Sequence, residues 1–69
     1  MFLKLSVTHT HSPNFGFTLK QNATDECINF DSVFRFFRRE QSNCTVILFQ
    51  EGTMIGVSES PDEIMAKLK

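Results

Sequence analysis

The chain has no tryptophan and no tyrosine, and only two cysteines, two prolines and three glycines among its 69 residues. Each shortage excludes something. Two cysteines could pair, but in a cytoplasmic chain two reduced thiols are expected, and no Cys-x-x-Cys element marks a metal site. Without a repeat or a low-complexity tract, nothing reads as a linker that would divide the chain. Seven Lys and Arg stand against eight Asp and Glu, a formal charge of -1. There is therefore no basic excess to draw the whole molecule to nucleic acid or anionic lipid, and any such binding must be local. No apolar run approaches the roughly 18 residues of a membrane span, and Met1-Phe2-Leu3-Lys4-Leu5 turns polar too soon for an export signal. One small cytoplasmic domain with no membrane attachment is the expectation. A domain of this size buries only about 60 percent of the surface its unfolded chain exposes, and association into a homodimer is the simplest way to add to that.

What is present is clearest between Thr45 and Lys69. Thr45-Val46-Ile47-Leu48-Phe49 is β-branched and apolar, Glu51-Gly52 supplies a turn tolerant of positive φ, and Thr53-Met54-Ile55-Gly56-Val57 resumes an extended pattern. That is a hairpin. Ser60-Pro61-Asp62-Glu63 then sets a hydroxyl at the N-cap, proline at the first helical position and Glu at the third, which satisfies orphan backbone donors reciprocally. The helix this starts would carry Ile64, Met65, Ala66 and Leu68 as its apolar stripe, with Asp62 and Glu63 early and Lys67 and Lys69 late to suit its dipole. Upstream, Leu3, Leu5 and Val7 alternate with Lys4, Ser6 and Thr8 as a half-buried strand does. His9 to Asn14 reads as a polar connection, Phe15, Phe17 and Leu19 mark a second strand, and Gln21 to Glu26 reads as a polar loop.

Residues 30–41 are the contested stretch. Phe30, Val33, Phe34 and Phe37 fall at i, i+3, i+4 and i+7, with Asp31, Arg35, Arg38 and Arg39 opposite, and Asn29 or Asp31 is available as a cap. Periodicity favours a second helix there over a strand. The whole reads as an α+β domain: an antiparallel sheet of about four strands, a C-terminal helix, and a helix (or strand) at 30–41.

Leu3-Lys4-Leu5, Ile28-Asn29-Phe30-Asp31-Ser32-Val33 and the run from Thr45-Val46-Ile47-Leu48 through Val57-Ser58-Glu59-Ser60-Pro61-Asp62-Glu63-Ile64 together resemble the small bacterial flagellar-protein family FlbD. The resemblance implies a short, non-enzymatic, motility-associated protein. It also implies a turn leading into a strand after Asn29 and Asp31, contrary to the periodicity. Thr8 to Glu26 departs from the family, being longer than the tight hairpin expected there.

Chemistry is scarce. His9, His11, Cys27 and Cys44 are the ligand types of a zinc site without its spacing, and two reduced, partly buried thiols are expected in place of a metal or a disulfide. No Ser or Cys has an evident base and orienting group, the carboxylates are explained by caps and loops, and no cofactor motif occurs. Phe34-Arg35-Phe36-Phe37-Arg38-Arg39 alone has a functional flavour, although an amphipathic helix with Phe inward and Arg outward would carry the same residues. Arginine beside aromatic rings suits a protein anchor, with Phe36 on the wheel's outer edge, and it also suits phosphate contact and base stacking. The first expectation is a non-enzymatic interaction module with no cofactor, binding another protein through Phe34, Arg35, Phe36, Arg38 and Arg39. It would be motility-related or a phage-encoded inhibitor of a host protein. The alternative is a nucleic-acid-binding regulator using Arg35, Arg38 and Arg39.

Overall fold

Alternating apolar residues in Leu3-Lys4-Leu5-Ser6-Val7 bury one face of the first strand, as the pattern requires. In the computed structural model, which describes Met1–Lys69, Leu3, Leu5 and Val7 are buried while Lys4 is exposed. The strands are β1 (Phe2–Ser12), β2 (Gly16–Asn29), β3 (Val33–Arg39), β4 (Cys44–Phe49) and β5 (Met54–Val57), followed by helix α1 (Pro61–Leu68). They form one antiparallel sheet in the order β2-β1-β5-β4-β3. The α+β plan stands, with five strands in place of about four.

Three segments differ from the sequence reading. Residues 30–41 hold no α-helix: a 3-10 turn at Phe30–Ser32 leads into β3, and a second at Glu40–Ser42 leaves it. Asn29 does cap, but only that single turn, its Oδ1 accepting from the Asp31 amide at 3.0 Å. The strand wins because β4 offers a ladder from Val33↔Phe49 to Arg39↔Cys44, broken by one register shift, and pairing there sets Phe36 opposite the buried Ile47 and against the core. Gln21–Glu26, read as a loop, lies inside β2, where Thr24, Asp25 and Glu26 pair with Val7, Ser6 and Leu5. An edge strand exposed on both faces needs no apolar alternation. His9–Ser12 likewise continues β1, and the turn is confined to Pro13–Phe15, where Ser12 Oγ accepts from the amides of Asn14 and Phe15 and Gly16 adopts φ +71°.

The C-terminal third folds as its residues dictate. Ser60 Oγ accepts from the Glu63 amide at 3.1 Å and Glu63 Oε1 accepts from the Ser60 amide at 3.0 Å, closing the capping box. Ile64 is fully buried and Leu68 half-buried one turn on, whereas Met65 and Ala66 face outward, so the buried stripe is narrower than the four residues suggested. Ile64 completes a cluster with Leu3, Leu5, Val7, Ile28, Ile47 and Val57 between helix and sheet. Glu59, just before the helix, accepts from the Ser6 amide with both carboxylate oxygens at 3.0 Å, closing the flank of β1 where β5 ends.

The opposite face of the sheet is partly covered by its own coiling. Val46 and Cys44 are fully buried there, and Gly56 sits so close that a Cβ would lie 2.8 Å from both Cys44 Sγ and His9 Cβ. Coiling also brings the tail of one edge strand to the head of the other: the Arg39 guanidinium lies 4.8 Å from the Phe17 ring centroid.

Candidate functional site

The residues singled out in the sequence all lie on β3, an edge strand that pairs with β4 alone. Its register slips between Val33 and Arg35, so two residues, Val33 and Phe34, oppose Phe49. This is a β-bulge, and it re-aims the side chains around it. Phe34 is lifted out and is 67% exposed. Phe36 pairs with the buried Ile47, packs against the core, and stands edge-on to Phe30 with centroids 6.0 Å apart. Helical periodicity would leave Phe36 at the surface. The bulge moves that role to Phe34 and sends Phe36 inward.

The three arginines part company as well. Arg38, on the same face as Phe36, pairs through Nε with Glu40 at 3.1 Å and donates to Asn43 Oδ1. Arg35 and Arg39 lie on the other face. Arg35 stacks over Phe37 at 4.9 Å, and Arg39 lies over Phe17 while its Nε donates to Ser42 Oγ at 2.8 Å. Alternation along a strand forces this split, so the three charges do not converge on one ligand.

Beside Phe34 runs an apolar groove of about 420 Å³ lined by Phe30, Val33, Phe34, Arg35, Phe36 and Leu68. The 3-10 turn supplies Phe30, the strand supplies Val33 and Phe36, and the last turn of α1 supplies Leu68. Sequence inspection missed Phe30 and Leu68 as lining residues because the groove exists only where helix end and sheet edge meet. A second cleft, of about 570 Å³, is lined mostly by polar residues, Thr8, His9, Arg38, Ser42, Asn43 and Ser58, together with Leu19.

The histidines and cysteines are dispersed. His9 Nδ1 is 2.8 Å from the neighbouring Thr8 Oγ1 and no carboxylate bonds the ring, while His11 packs on Phe17 at 4.8 Å. No three His, Cys, Asp or Glu side chains gather as metal ligands would. Both cysteines are free thiols, but only Cys44 is buried; Cys27 is exposed on β2, against the expectation of two partly buried thiols. Burial pushes the Cys44 thiol up from its ordinary pKa, partly offset by the positive charges of Arg39 and Arg38. Such a thiol is a poor nucleophile at neutral pH.

No helix is long and apolar enough to cross a membrane. The geometry defines a small α+β domain with an open sheet edge beside an apolar groove. Comparison with protein-family models, with curated proteins and with solved structures returns no match.

Proposed function

We propose that this chain is a non-enzymatic protein-binding module, a small regulator or accessory protein that engages its partner at the β3 edge. One observation carries the reading: the bulge holds Phe34 outward, 67% exposed, at the rim of the apolar groove. A large aromatic held in the open beside an apolar recess is the usual form of an interface anchor. Arg35 supplies the exposed charge next to it and Phe36 the floor of the groove. Arg38 and Arg39 frame the far end of the strand, each held by contacts within the chain.

The FlbD resemblance makes a motility component the specific form of this proposal, and a phage-encoded inhibitor of a host protein is the other form. A nucleic-acid regulator built on Arg35, Arg38 and Arg39 draws less support, because the guanidinium groups sit on two faces and Arg38 already meets a carboxylate. Photo-crosslinking from a reactive residue placed at position 34 tests the choice, with position 15, 83% exposed at the hairpin tip, as the control. A specific protein adduct from position 34 and none from position 15 is expected. Crosslinking to nucleic acid, or equal labelling from both positions, would contradict the proposal.

A further inference from the structure

Resting on the protein-binding reading, we infer that the free edge of β3 receives an extended peptide of alternating apolar and acidic residues, added as a sixth strand. The backbone is suited to it. β3 forms a ladder with β4 on one side only, so alternate N–H and C=O groups on its other side have no partner strand. An added strand would satisfy them, which is the basis of recognition by strand addition.

The two faces of β3 then dictate the incoming side chains. On the helix face, an added strand runs over the groove lined by Phe30, Val33, Phe36 and Leu68, with Phe34 and Arg35 at its rim, and this groove takes apolar groups. On the other face it passes Arg35 and Arg39, with the half-buried Phe37 between them. Between Val33 and Arg39 there are three arginines and no acidic residue. Glu40 answers Arg38, but neither Arg35 nor Arg39 has a carboxylate partner. Residues on a strand alternate between faces, so a complementary strand alternates apolar with acidic.

The same charges argue against a second copy of the chain as the occupant. Pairing β3 with another β3 would bring three arginines to three arginines, and edge charges with a nearby bulge are what proteins use to discourage such self-pairing. The edge is also short. Its regular part runs from Arg35 to the point where Arg39 turns onto Phe17, so the peptide docks over only a few residues.

The test uses the full chain, labelled for amide NMR, with a short synthetic peptide alternating leucine and glutamate and a leucine-lysine version as control. Amide shifts should be concentrated in Val33–Arg39, with the lysine peptide at least ~10-fold weaker because like charges across an interface are repelled. Arg35→Glu, at an exposed position, should narrow or reverse that preference. Equal affinity for the two peptides, shifts centred on β2, or no shift with either would overturn the inference. So would concentration-dependent broadening of β3 without peptide, which would assign the edge to a second copy. Position-34 crosslinking separates the two levels. A protein adduct with no peptide binding rejects only the acidic-strand inference, whereas failure of both rejects the binding module as well.

Discussion

Thr45 should be replaceable by valine with a gain in stability. Its side chain is fully buried in β4, between Arg38 on β3 and Val57 on β5, and its Oγ1 has no hydrogen-bond partner. A buried hydroxyl left unpaired costs about 1–3 kcal/mol in proteins, because it gives up water and receives nothing in return. Valine keeps the β-branch that suits a strand and puts a methyl where the oxygen sits, adding up to about 0.8 kcal/mol of apolar burial. Thr45→Val should therefore gain about 1–3 kcal/mol, at roughly 4–8 °C of melting temperature per kcal/mol for a domain of this size. Thermal and urea unfolding followed by circular dichroism would measure it, with Thr45→Ser as the control that keeps the hydroxyl and loses the methyl. The serine variant should be destabilised. If valine lowers the midpoint while serine leaves it unchanged, the hydroxyl is satisfied in solution and the reasoning fails.

Phe36→Ala should cost about 2–4 kcal/mol, below the upper range for a fully buried phenylalanine because Phe36 is half-buried, whereas Phe34→Ala should stay within about 0.5 kcal/mol. Urea titration of the pair checks this, and equal losses would show that the bulge does not divide their roles. Ser60→Ala should lower stability by about 1 kcal/mol through loss of the cap, read as a lower melting temperature. In the folded protein Cys27 should react with a maleimide at once and Cys44 only on unfolding, so two fast thiols by mass spectrometry would contradict the burial of Cys44. The Cys44 pKa is higher folded than unfolded, so its stabilising contribution is complete below the unfolded value and is lost as pH rises through the folded one. Urea midpoints should fall on the alkaline side in the parent, and less so in Cys44→Ala.

The segments that could be read from sequence were those whose signals are local. Gly52 at φ +99° between two apolar runs and the reciprocal Ser60–Glu63 cap each act within a few residues, and each forms as its residues suggest. The stretch around β3 misled for a definite reason. The apparent helical stripe is Phe30, Val33, Phe34 and Phe37, of which only Phe30 and Val33 pack against the core. A 3-10 turn sets the interval between those two, Phe34 is the bulge residue, and Phe37 falls on the other face of the strand opposite Val46, so turn, bulge and edge strand together imitate helical spacing. β2 was hidden in the opposite way: much of it faces water on both sides, so its pairing with β1 left no apolar mark in Gln21–Glu26. The groove could not be read at all, because Leu68 joins Phe30 and Phe36 only through tertiary packing.

The extra residue at position 34 is separable from the scaffold that carries it. Val33 opposes Phe49 and Arg35 opposes Leu48, consecutive positions on β4, so a chain lacking Phe34 would close into a regular ladder. Every residue from Arg35 to Arg39 would keep its partner and its face. Here a one-residue insertion is the unit of change: it adds a protruding aromatic to an existing fold, and its removal takes the protrusion away. Length variation at this single point can therefore switch the surface on or off while the core beneath keeps its packing.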